Sequence, residues 1–317
     1  MDEISVRVAQ QVAILSERGG WSKQASVPSD EQLLKLLSSH WQSTAELVEH
    51  LRTRVELRFF ASFASKSETL SEFRRRWPDA EKRLVNTADR ISEGTFDLLG
   101  LRELNFGKEI DWHFEPMAGK RTPLRHWSQL NYLDAQVAGD KKITWELNRH
   151  QYFTTLGRAY WFTGDERYAE VFTSHLTSWM DHNPPKLGIN WASSLEIAFR
   201  SISWLWGLQF FKESPSLAEA IVVRMLKFFY LNALHLETFL STYFSPNTHL
   251  TGEALGLFYI GLLLPEFREA ERWRALGLEI LVAQLPRHVQ PDGVYFEQSS
   301  YYQRYTTDFY IHLAVLL

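Results

Sequence analysis

At 317 residues the chain can bury a sizeable core as one large domain or two. Its net charge of −4 offers no general basic field, which argues against nucleic acid or an anionic membrane as partner. The absence of Cys excludes disulfides and thiolate chemistry, and the apolar run 255–264 is far too short to span a membrane.

In chain order, residues 1–90 read as an N-terminal helical region broken at Gly19-Gly20, 26–29 and Trp77-Pro78. Within 30–61 the apolar positions Leu33, Leu34, Leu37, Leu47, Leu51 and Val55 recur at helical spacing. The opening Met-Asp-Glu-Ile-Ser has no basic segment followed by an apolar one, so no signal peptide is visible and the chain as written reads as cytoplasmic. Residues 93–100 read as a short extended piece. The stretch 111–122 has loop composition, and its Trp112 and His113 are expected to line a cleft.

From residue 126 the pattern predicts helices over 126–137, 143–163, 165–182, 191–212, 216–243, 250–263, 266–290 and 298–317. The breakers between them include Gly139-Asp140, Gly164-Asp165, Asn183-Pro184-Pro185, Ser214-Pro215, Ser245-Pro246, Pro265 and Asp292-Gly293. Long helices joined by short turns build antiparallel hairpins, and a row of hairpins makes a superhelix or a toroid. The expected class is all-α, because no period-2 segments recur. One tetratricopeptide-like unit (Leu156, Gly157, Tyr160, Ala169) does not repeat 34 residues on, which speaks against an array. The last helix runs to Ala-Val-Leu-Leu with no Gly cap or polar tail, so the natural chain is expected to continue.

Four blocks carry candidate chemistry. Ser245-Pro-Asn-Thr-His-Leu-Thr-Gly-Glu-Ala254 places Asn247, His249 and Glu253 around a helix start. Asn247 or Thr248 can cap that helix. A His near a helix N-terminus has its cation disfavoured, so it stays neutral and able to take a proton. Pro291-Asp-Gly-Val-Tyr-Phe-Glu-Gln-Ser-Ser-Tyr-Tyr302 opens with a turn, offers Ser299 as a cap, and carries Glu297, Tyr301, Tyr302 and then Tyr305. The block 188–200 sets Glu196 and Arg200 at i, i+4, where they can pair, and brings Trp191 as a ring to stack on a sugar. Residues 145–150, read as opening a helix, offer Asn148 and Arg149 to a carboxylate or sulfate. Amide, imidazole and phenol are together the groups needed to abstract a proton beside a carboxylate and expel an oxygen leaving group. No HExxH, CxxC, GxSxG, GxGxxG or P-loop occurs, so no zincin, dinucleotide or nucleoside triphosphate site is expected, and no metal or other cofactor.

In this order the blocks Trp145-Glu-x-Asn-Arg149, Gly188-Ile-x-Trp191 through Glu196 to Arg200, Asn247-Thr-His249-Leu-x-Gly-Glu253-Ala, and Asp292-Gly to Tyr302 resemble the heparinase II/III-like polysaccharide lyases, which include heparan sulfate and oligoalginate lyases. The resemblance spans roughly 95–317. It implies an incomplete (α/α) toroid over 91–317, with the family's C-terminal β-sandwich missing from this chain and the active site in the cleft between the two. The residues 1–90 either stand apart or join that domain. By resemblance Asn247 is the carboxylate neutraliser, His249 a base or neutraliser and Tyr302 the acid/base, with Tyr301 a competitor for that role. Arg149, Trp191, Glu196, Arg200, Glu253 and Tyr301 line or brace the subsites. The implied activity is β-elimination on a uronic-acid-containing polysaccharide, with an acidic polysaccharide or oligosaccharide as partner. A periplasmic or secreted location is also implied, and any structural metal of the family belongs to the β domain. Two other readings stand beside it. One is a toroidal glycoside hydrolase drawing paired acids from Asp111, Glu196, Glu253 and Glu297. The other is a non-catalytic helical module that binds glycan or protein.

Overall fold

The structure is a computed structural model describing residues 2–39, 41–54 and 59–317; Val55 of the first apolar pattern lies outside the described residues. The N-terminal region forms α1 (Glu3–Arg18), α2 (Asp30–Lys35), α3 (Thr44–Thr53), α4 (Lys66–Arg76) and α5 (Ala80–Ser92). Local chemistry sets several of these starts. Asp2 and Ser43 each accept a first-turn amide, and Ser29 and Gln32 form a reciprocal capping box. The piece expected to be extended is a hairpin of β1 (Thr95–Leu98) and β2 (Leu101–Asn105), with Thr95 opposite Asn105 and Phe96 opposite Leu104. A second, minimal hairpin pairs β3 (Phe114–Glu115) with β4 (Lys120–Arg121).

Three expectations for the middle of the chain need correction. Residues 126–137 are not a helix. They hold a single 3-10 turn, Trp127–Gln129, and the four-residue α6 (Ala135–Ala138). His126 and Asp134 each cap a new short element, accepting from Ser128 N at 3.3 Å and from Gln136 N at 2.9 Å, so the segment starts twice instead of running as one helix. The span 143–163 is two helices, α7 (Lys141–Asn148) and α8 (Phe153–Thr163), because His150 adopts φ +56° between them. Trp112 and His113 do not line a cleft: both are buried, with Trp112 Nε1 donating to Ser178 Oγ at 3.1 Å.

The remaining helices are α9 (Arg167–His182), α10 (Ser194–Phe211), α11 (Glu219–Thr238), α12 (Thr248–Leu263), α13 (Ala270–His288) and α14 (Ser300–Leu316). Hairpins pair α8 with α9, α10 with α11 and α12 with α13, while α8, α10, α12 and α14 touch in succession as an inner row. This is the expected incomplete (α/α) toroid. The two middle helices of the row, α10 and α12, are covered on all sides, so they carry little amphipathic pattern. In α10 every residue except Trp206 is buried, and in α12 every residue except His249 and Leu262. Close helix approach demands glycine at several crossings: a Cβ on Gly256 would lie 2.6 Å from Ala198 Cβ, and one on Gly277 only 2.5 Å from the Ala254 carbonyl oxygen. One continuous apolar core reaches from Leu33 and Leu47 of the N-terminal region to Phe309 and Leu316 of α14. Among the described residues no helix is long and apolar enough to cross a membrane.

Candidate active site

Two segments fifty residues apart in sequence meet at one end of the inner row. Asn247 caps α12, its Oδ1 accepting from His249 N at 3.0 Å. Its Nδ2 donates to Glu297 Oε1 at 3.2 Å. A second clasp joins His288 Nε2 to the Pro246 carbonyl at 2.8 Å. On the far side, Pro291-Asp292-Gly293 turns as expected. Gly293 has φ +86°, and Asp292 accepts from Val294 N at 3.0 Å. Ser299 then caps α14, accepting from Tyr302 N at 3.4 Å. Helix capping thus positions both the amide and the phenols.

Beside this clasp lies an ion-pair cluster centred on Arg149. The kink at His150 ends α7 so that Arg149, at its C-cap, turns inward. The residues 145–150 therefore close a helix rather than open one. Arg149 forks onto Glu196, with Nε and Nη2 donating at 2.6 and 2.9 Å, and gives Nη1 to Glu146 at 2.8 Å. Its guanidinium lies 4.8 Å from the Phe199 ring centre. Bidentate, charge-assisted bonds hold this group in one orientation.

His249 sits within the fields of both groups. Burial pushes its pKa below the usual imidazole range; Glu196 and Glu297 pull it up and Arg149 pushes it down. Its backbone N–H is spent on the Asn247 cap, while no hydrogen bond to its ring is found among the described residues. The ring is therefore a neutral, unengaged acceptor at neutral pH.

Three tyrosines start α14. Tyr305 is largely covered, and burial raises its pKa above the ordinary phenol range. Arg149 opposes that shift, while Glu196, Glu146 and Tyr301 add to it. Tyr301 and Tyr302 are exposed. Tyr301 stacks on Tyr305, with ring centres 6.2 Å apart and planes at 19°. Tyr302 meets Tyr301 edge-on at 5.9 Å. Helical spacing explains the stack, since 301 and 305 share a face.

Other expected site residues lie elsewhere. Trp191 is wholly buried, its ring beside Lys186 and His235 at 5.8 and 5.9 Å, and so cannot stack on a sugar. Arg200 is also fully buried. It does not pair with Glu196: it lies 4.2 Å from the Trp179 ring centre and donates to the Asn190 carbonyl at 3.2 Å. Glu253 is buried and accepts from Ser241 N and Oγ, both at 2.7 Å; burial pushes its pKa up to about 8. It braces the chain before Asn247 and does not face a ligand. Asn148 is consumed by the Trp112 and Thr144 carbonyls (3.0 and 2.7 Å) and by Trp179 Nε1 (2.7 Å). Asp111 holds Arg121 at 2.7 Å near the β3–β4 hairpin. The sequence reading passed over Glu146 and gave Tyr305 no role, although each stands three or four residues from a residue it singled out. No group of three or more His, Asp or Glu suited to a metal ion occurs among the described residues.

Comparison with known proteins agrees with this architecture. Heparin-sulfate lyase of Bacteroides stercoris is 28% identical over 218 residues, covering 62% of this chain and 29% of the relative. Heparin-sulfate lyase of Bacteroides thetaiotaomicron is 31% identical over 169 residues, covering 52% of this chain and 24% of the relative. The chain thus spans less than a third of the length of either. The crystal structure of heparan sulfate lyase HepC from Pedobacter heparinus superposes with a TM-score of 0.60 at 22% identity, covering 98% of this chain and 41% of that one. The profile of the family described as Heparinase II/III N-terminus matches residues 35–316. The chain belongs to the heparinase II/III N-terminal family.

Proposed function

We propose that this chain supplies the toroid wall of a polysaccharide lyase that cleaves a uronic-acid-containing polymer by β-elimination. The observation that carries the reading is the clasp of Asn247 and Glu297, which sets a capping amide, a neutral imidazole and the tyrosines of α14 beside the Arg149–Glu196 pair. An amide has two N–H donors, and Glu297 takes one, leaving the other for a substrate carboxylate. Holding that carboxylate's charge stabilises the enolate-like transition state. His249 takes the C5 proton, and the C–H electron pair becomes the C4–C5 double bond. The C4–O bond breaks as its oxygen takes a proton from a phenol. Of the two exposed tyrosines, Tyr301 has the stronger support. It stacks on Tyr305, whose phenol feels Arg149, Glu196 and Glu146.

The names of the relatives make heparan-type glycosaminoglycan the first substrate to test. The assay is ultraviolet absorbance of the unsaturated uronate, using the full-length gene product. Absorbance that grows with one uronan supports the reading, and reducing ends without a double bond select hydrolysis instead. The hydrolase reading has little support in the geometry, since Asp111, Glu196, Glu253 and Glu297 are each engaged.

A further inference from the structure

The inner row borders a cavity of about 460 Å³ whose lining includes Phe199 and Tyr305, the two rings next to the Arg149–Glu196 pair. That volume lies within the range of small-ligand pockets. Trp206 faces it, the single residue of α10 that is not buried. Its ring is held by Phe60 at 4.6 Å and Phe59 at 5.0 Å, so a rigid aromatic plane forms part of the cavity wall. Arg158 also lines the cavity. Its one hydrogen bond goes from Nε to the Thr154 carbonyl at 3.2 Å, and it makes no ion pair among the described residues. Arg158 is exposed to solvent overall, yet the atoms around its guanidinium desolvate it enough to lower its pKa from the ordinary value. His312, also in the wall, is occupied by Tyr259 at 2.6 Å and kept largely neutral by burial. Asp308 is the cavity's acid and interacts with His312.

We propose that this cavity is a subsite for an acidic sugar unit, with Trp206 as its stacking face and Arg158 as the group that receives the sugar's carboxylate or sulfate. An unpaired, partly desolvated guanidinium gains most from an incoming anion, and its planar fork fits either oxyanion. An indole in a cavity wall is the kind of ring on which the apolar face of a pyranose can stack. The inference rests on reading the neighbouring cluster as an acidic-sugar site.

The test is calorimetric titration of the full-length gene product with three probes: a sulfated heparan tetrasaccharide, the same tetrasaccharide desulfated, and the desulfated one with carboxyls reduced. Arg158→Gln is expected to raise Kd about tenfold for the anionic probes and to leave the neutral probe unchanged. Arg158→Lys should recover part of that loss. Trp206→Phe should weaken all three probes by a similar, smaller factor. The loss between the first and second probes reports a sulfate at Arg158, and that between the second and third a carboxylate. Unchanged affinity of Arg158→Gln for every probe would overturn the proposal, even if the enzyme makes unsaturated product. If Arg158 governs affinity while no uronan yields unsaturated product, the subsite stands and the lyase reading fails.

Discussion

Arg149 and Arg200 end two of the sequence blocks that drew attention, and their surroundings are opposite. Arg149 stands near the solvent edge with two carboxylates, Glu196 and Glu146, which raise its pKa. Arg200 is fully buried against the rings of Trp179 and Trp191, with one carbonyl for a partner; burial lowers its pKa to about 9. The first is part of a charged edge held by fixed ion pairs beside the clasp. The second is a wedge of the inner row, fixed by packing. The same contrast separates His249 from His150, whose buried Nδ1 accepts from Trp204 Nε1 at 2.8 Å. Residues from one block therefore divide between an inner layer that builds the wall and an edge able to meet substrate.

Substitutions sharpen this contrast, and the largest effects belong to the buried layer. Arg200→Ala removes a large buried side chain and its bond to Asn190. It should cost about 3 kcal/mol in urea unfolding. Glu253→Gln tests burial by pH. The folded pKa of Glu253, about 8, lies above its usual 4.5, so the native state holds a proton that the unfolded chain has released. The stability this contributes is present below the unfolded value and is lost as pH rises from about 4.5 to 8. The wild type should therefore lose on the order of 3 kcal/mol between pH 5 and pH 8 through this group. The Gln variant, which keeps both Ser241 bonds, should lose less.

At the edge the expected effects fall on rate. Tyr301→Phe should lower kcat by about 100-fold and Tyr302→Phe by only a few-fold, with melting temperatures unchanged for both. The reverse order would reassign the acid to Tyr302. The smallest effect is a displacement in pH. Because burial depresses the His249 pKa, its base form persists below the ordinary imidazole value, so the acid limb of kcat/KM should fall below about pH 6.5. A limb above that value would remove His249 as the base.

Much of this arrangement was legible in the sequence. The Asn247 cap, the turn at Pro291-Asp292-Gly293 and the Ser299 cap are local chemistry, and they placed the amide and phenols at helix starts. Depth was not legible. Periodicity reveals which face of a helix is apolar only when another face is wet, and α10 and α12 have almost no wet face. Trp191, Arg200 and Glu253 were thus assigned to substrate although packing had enclosed them. The kink that delivers Arg149 was also hidden, because a left-handed His has no reliable sequence signal. Glu146 and Tyr305 were readable from i, i+3 and i, i+4 spacing, but only once the neighbouring group was known to matter.

The most direct test of the edge as the reacting layer is Asn247→Ala, with elimination rate and unfolding free energy measured on the same full-length preparation. The account predicts a fall in kcat of about 100-fold or more, beside a stability loss of only ~1 kcal/mol from the missing cap. An unchanged elimination rate, or a rate that falls only in proportion to the unfolded fraction, would contradict it.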